Sequence, residues 1–246
     1  MPFGSVVLAA AGLASMTAAF ENGDLDEAAR QGVLAGPVVV EQGLRSPDRA
    51  TRLAAIAAAP AVEDRAELLA PLASAAAGPD RRTAIPAARA ARTIARELAQ
   101  KPLPDDLAPD DVTGWRAAWA KLAADRTRWI ELRVLALDTA SALAPDGAGL
   151  PLDAALADPD PALRRAAIAD VPVPVPAALR APLAKAVVSD TDDAIALAAG
   201  AALCADLAYD PAAPVLEALG EPGLQRLRTI GARNEDVARC VRSPRK

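Results

Sequence analysis

Apolar residues recur at three- and four-residue intervals along most of the chain, the spacing of helices that bury one face. Leu179, Leu183 and Val187, at i, i+4 and i+8, give one such stripe. The stripes are punctuated by a short polar signature. It reads Ser46-Pro47-Asp48 before RATRLAAI, Gly78-Pro79-Asp80 before RRTAIPAARAARTIA, Asp158-Pro159-Asp160 before PALRRAAI, and Asp190-Thr191-Asp192 before DAIALAAGAAL; a degenerate copy, Thr127-Arg128-Trp129, precedes IELRVLALDTASAL. Pro47 to Pro79 and Asp158 to Asp190 each span 32 residues, and Thr127 lies 31 before Asp158. Spacing this constant marks an internal repeat. The first residue of each signature is expected to cap a helix N-terminus. Proline then takes the first helical position and the next acidic residue faces the positive end of the helix dipole. Each unit reads as helix, tight turn and second helix. One such hairpin cannot bury its own apolar face, so neighbours must stack. The expected class is all-α, with no β-sheet.

From about Pro37 to Leu207 the chain resembles HEAT repeats in their short form, the strongest copy being LADPDPALRRAAI at 156–168. The resemblance implies a right-handed α-solenoid of stacked helical hairpins, an armadillo-type superhelix, whose surface binds a protein or peptide without catalysis. In that family an aspartate in the turn and an arginine six residues later bond between adjacent repeats. Asp158 and Arg164 match that spacing; Arg52 and Arg133 keep the arginine behind Ser46 and Thr127; Asp190 is followed by Ala196, and Gly78 by Ala84. The ladder is therefore expected to be incomplete. Residues 37–210 form the repeats, 20–36 an N-terminal cap and 211–246 a C-terminal cap whose arginines, Arg226 and Arg228 among them, read as a solvated outer face. The Pro- and Asp-rich string KPLPDDLAPDDVTG at 101–114 reads as an inserted loop.

Composition narrows the chemistry. Hydrophobic residues make up 52% of the 246 and aromatics 2%, so the core must be built from Ala, Leu, Val and Ile. The chain has no histidine, which removes the commonest general base and metal ligand. The expectation is no metal site, no cofactor and no enzyme. A net charge of -5 disfavours a polyanion as the main partner. Residues 1–19 admit two readings: a signal-peptide h-region, which would export the protein to the periplasm or beyond, or the apolar first helix of a cytoplasmic protein. No integral membrane segment is expected in the mature chain. The acidic clusters at Asp24, Asp105-Asp106, Asp110-Asp111 and Asp190 lack the spacing of a calcium loop and read as caps and solvated loops.

The tryptophans Trp115, Trp119 and Trp129 fall within fifteen residues, with Arg116 and Arg126 beside them. Two readings stand: a partner hot spot, since Trp and Arg dominate interface energetics, or rings filling space opened by the inserted loop. The alternative function is a DNA-binding enzyme resembling HEAT-like alkylpurine glycosylases, with these tryptophans and Asp125 forming the surface. Cys204 lies on the last repeat helix and Cys240 on a terminal helix that must dock back on it. They are either a disulfide or two buried thiols.

Overall fold

The computed structural model describes residues 3–100, 108–144, 150–209 and 215–242, with side chains over 9–100, 108–144, 150–206 and 217–242. Among the described residues every regular element is a helix, which gives the all-α class. The chain divides into two compact units, Met1–Leu143 and Ala144–Lys246.

The first unit holds α1 (Phe3–Glu21), α2 (Leu25–Ala35), α3 (Pro37–Leu44), α4 (Arg49–Ala58), α5 (Leu69–Ala76), α6 (Arg81–Ala99), α7 (Pro109–Ala124) and α8 (Ile130–Ala142). Sequential helices pair: α3 with α4, α5 with α6, α7 with α8. The second members, α4, α6 and α8, contact one another in turn, and so do α3, α5 and α7. Alanine makes this approach close. Ala54, Ala55, Ala58, Ala84, Ala88 and Ala91 are fully buried. At Gly32 an added Cβ would stand 2.4 Å from the Cβ of Ala58, and at Gly43 2.8 Å from that of Ala55. Neither contact admits a side chain.

Helix α1 packs on α2 and α4, with Met16 fully buried. It runs on to Glu21, so the division expected at residue 20 falls inside a helix. The break comes instead at Gly23, which takes φ 78°, and at Asp24, which caps α2 by accepting the Glu27 N–H. The loop expected at 101–114 is also corrected. Residues 101–107 lie outside the described ones, but Pro109–Gly114 are the start of α7. Proline fits a first turn that needs no N–H there, and Asp110 and Asp111 sit at the positive end of the helix dipole.

The second unit holds α9 (Leu152–Leu156), α10 (Pro161–Ala169), α11 (Ala177–Ser189), α12 (Asp193–Tyr209), α13 (Val215–Ile230, kinked at Gly220) and α14 (Glu235–Arg242). Here α9 pairs with α10 and α11 with α12; α9 contacts α11, and α10 contacts α12. Helix α13 packs on α11 and α12, and α14 on α12 and α13. Asp206 of α12 is fully buried and accepts the Val175 N–H at 2.9 Å and Arg180 Nε at 3.0 Å, which ties the Pro-rich connection before α11 to α12. Cys204 of α12 and Cys240 of α14 are joined in a disulfide, their Cα atoms 5.8 Å apart.

Candidate functional site

The polar signatures build one recurring turn, but two residues out of the expected register. The N-caps are Asp48, Asp80, Asp160 and Asp192, accepting the N–H of Thr51 (2.7 Å), Arg82 (3.1 Å), Ala162 (2.8 Å) and Ala194 (2.9 Å). Ser46, Asp158 and Asp190, two residues earlier, instead accept the backbone N–H of the cap residue itself. Such a local turn fits Ser and Asp before a helix, where their short side chains reach the backbone two residues on. Pro47, Pro79 and Pro159 therefore precede the cap rather than open the helix. In the degenerate copy Asp125 accepts the Thr127 N–H at 3.0 Å, and Trp129 stands at the cap position with no side-chain cap bond.

This register explains the arginines. Arg52, Arg133 and Arg164 all lie four residues past a cap position. Arg52 Nη1 donates to the carbonyls of Ser46 (2.6 Å) and Pro47 (2.7 Å), and Arg164 Nη1 to those of Asp158 (3.0 Å) and Pro159 (2.9 Å). Arg133 is buried and gives Nε to the Ala123 carbonyl at 3.0 Å. The carboxylate that Arg164 meets belongs to the next turn: Nε donates to Asp190 Oδ2 at 2.7 Å and Nη2 to Asp190 Oδ1 at 3.0 Å. This two-pronged pairing holds the Asp190 carboxyl below the usual carboxylate range, against burial, which pushes the other way. Ala196 offers no arginine to the following contact. Arg226 of α13 serves that turn, donating to the carbonyls of Val188 (3.0 Å) and Asp190 (2.5 Å) and to Asp193 Oδ1 (2.9 Å). Arg226, expected as solvated charge, is thus a clamp.

Each unit leaves a cleft beside these turns. In the first, a cleft of about 650 Å³ is bordered by Arg45, Ser46, Pro47, Arg52, Gly78 and Pro79. In the second, one of about 610 Å³ is bordered by Asp153, Arg164, Lys185, Asp190 and Thr191. A further groove, about 900 Å³, runs between α1, α2 and α3, where Leu34 is 70% and Val38 63% exposed. On α6, Arg81 and Arg89 share Glu131 of α8, and Arg92 and Arg96 share Asp138. The pairs at Glu131 are solvent-screened and each is worth little, whereas Asp138 is mostly buried and takes two nitrogens of Arg96.

Of the two readings of the tryptophans, burial fits rings that fill space for Trp115 and Trp119 and does not fit a hot spot built on them. Trp115 is 8% and Trp119 0% exposed, facing the packing of α7 on α8 and α5. Of the three only Trp129, half-buried, stays accessible; Arg116 is half-buried and Arg126 exposed. Helical periodicity placed Trp115 and Trp119 on one face, and that face is the inner one. Among the described residues the buried Trp119 indole N–H has no hydrogen-bond partner, a desolvation cost that most buried tryptophans avoid. Among the acidic clusters, Asp24 caps α2, Asp110 and Asp111 open α7, and Asp190 and Asp192 build a turn; Asp105 and Asp106 lie outside the described residues. No group of three or more His, Cys, Asp or Glu side chains among the described residues is placed to hold a metal ion. No described helix is long and apolar enough to cross a membrane. The chain matches no protein-family model, and no curated protein sequence matches it.

Proposed function

We propose that the protein is a non-catalytic scaffold, built as a HEAT-like right-handed solenoid, that binds a protein or peptide along its turns and clefts. One observation carries this reading: the same turn recurs with the same parts. A cap aspartate recurs in four turns, and the full set of cap aspartate, bracing residue two places earlier and arginine four places later occurs once in each unit, at Asp48 and at Asp160, each beside a cleft. Each cleft, a recess beside two consecutive turns of its own unit, suits a segment of extended polypeptide. Fold resemblance by itself does not fix function. The missing histidines and the net charge of -5 support the choice of a protein partner over catalysis or nucleic acid. The DNA-enzyme alternative loses its main support, because stacking on bases needs exposed rings and two of the three are buried.

The test is affinity capture from the native host on the immobilised chain, paired with a DNA titration at low salt. A protein retained saturably, with no DNA binding, is the expected result. Reproducible small-molecule turnover or tight DNA binding without any protein partner would overturn the reading.

A further inference from the structure

Two arginines in this chain have the same surroundings on one side and different surroundings on the other. Arg164 is held by two turn carbonyls through Nη1 and gives Nε and Nη2 to Asp190, 26 residues on. Arg52 is held by the two equivalent carbonyls through its own Nη1. Twenty-six residues on from Arg52 stands Gly78, which has no side chain to offer. Among the described residues the Nε and Nη2 of Arg52 meet no acceptor, and Arg52 lines the 650 Å³ cleft.

We infer that the Arg52 edge is a binding site for the carboxylate side chain of an acidic peptide, which takes the place that Asp190 fills beside Arg164. This rests on the scaffold reading and names the chemistry of its ligand. The guanidinium is already oriented, so a ligand gains a planar two-bond contact without the full entropic cost of ordering a free arginine. The other charges around the cleft are largely committed. Glu41 is paired with Arg45 at 2.5 Å; Asp80 caps α6 and meets Arg49 at 3.4 Å; Asp48 is turned into the Thr51 N–H and hydroxyl. Glu67, exposed at the rim, opposes an incoming anion, as does Asp48, whose charge already acts on Arg52. An aspartate side chain is the ligand group chosen because that is what occupies the matching position in the second unit.

The probe is the pentapeptide Gly-Gly-Asp-Gly-Gly, acetylated and amidated so that its only charge is the side chain, titrated into the full chain. The readout is the Arg52 Nε–H resonance in ¹H–¹⁵N spectra, assigned from its disappearance in Arg52→Lys. A saturable shift is expected with the Asp peptide and none with the Asn version. Gly78→Asp should abolish the shift by filling the edge from within, and Glu67→Gln should tighten binding about threefold by removing a like charge. No shift, an equal shift with the Asn peptide, or a shift that persists in a folded Gly78→Asp protein would overturn the assignment. So would stronger binding of an Asn peptide carrying a free C-terminal carboxylate. If the resonance stays silent while capture returns a protein partner, this inference fails and the scaffold reading stands; failure of capture as well removes both.

Discussion

The second unit closes a contact that the first leaves open. Arg164 and Arg52 sit at the same place in the same turn, yet one ends on a buried carboxylate and the other on a cleft. A single position, 26 residues after the arginine, makes the difference: Asp190 stands there in one case and Gly78 in the other. Where the carboxylate is present, the arginine joins consecutive hairpins and acts as structure. Where it is absent, the same arginine keeps its internal anchor and presents its free edge outward. The second unit is also cross-linked by Cys204–Cys240, whereas the first contains no cysteine.

That contrast can be broken from its strongest side first. Arg164→Ala leaves the Asp190 side chain, 3% exposed, with the Asp192 N–H but without its charged partner, and should cost about 3 kcal/mol. Arg52→Ala removes only bonds to two carbonyls and should cost about 1 kcal/mol. All three tryptophans lie in the first unit, so their fluorescence reports that unit while far-ultraviolet circular dichroism reports both. Urea unfolding should show the Arg164→Ala loss mainly in the dichroism. Equal losses for the two variants would mean that the Asp190 contact adds nothing. Disulfide removal by Cys240→Ser comes next: the bond joins positions 36 apart in sequence, and its loss should lower stability by about 3 kcal/mol. That loss too should show mainly in the dichroism.

Acid sharpens the comparison further. The Asp190 carboxyl is held below its ordinary value, chiefly by the Arg164 hydrogen bonds. Its contribution is present above the unfolded value, about pH 4, and disappears as pH falls through the lower folded value. Asp48 and Asp80 in the first unit are likewise lowered, by Thr51 and Thr83. Asp190→Asn should therefore flatten the fall in stability below about pH 4 in the dichroism while leaving it in the tryptophan signal. An unchanged acid slope in both would show that Arg164 does not hold the carboxylate in its charged form.

Much of this arrangement can be read in the sequence, and the exceptions have physical causes. Helical spacing and recurring turn signatures lead to the all-α class because both are local properties. The caps fall two residues after the expected positions because Ser46, Asp158 and Asp190 are as good capping residues as Asp48, Asp160 and Asp192; only the backbone path decides which side chain faces the helix. The string 101–114 read as a loop through its Pro and Asp, yet those residue types also begin helices, as Pro109–Asp111 do. Trp115 and Trp119 share a face, but sequence spacing does not say whether that face is turned inward. The column Ser46, Gly78, Asp158, Asp190 was visible as a ladder with gaps. What the gap does to the arginine opposite depends on a contact 26 residues away, which no local pattern carries.

The most direct test of the account restores the missing carboxylate. Gly78→Asp is measured for stability in the natural background and in Arg52→Gln. An added Cβ at residue 78 meets the Ala75 carbonyl at 3.1 Å, a tight approach that offsets part of the gain equally in both backgrounds. The double-mutant cycle cancels that strain, and the account predicts a favourable coupling of about 1 to 2 kcal/mol between the two positions. A coupling indistinguishable from zero would contradict the claim that Gly78 occupies the place of Asp190 and that Arg52 waits opposite it.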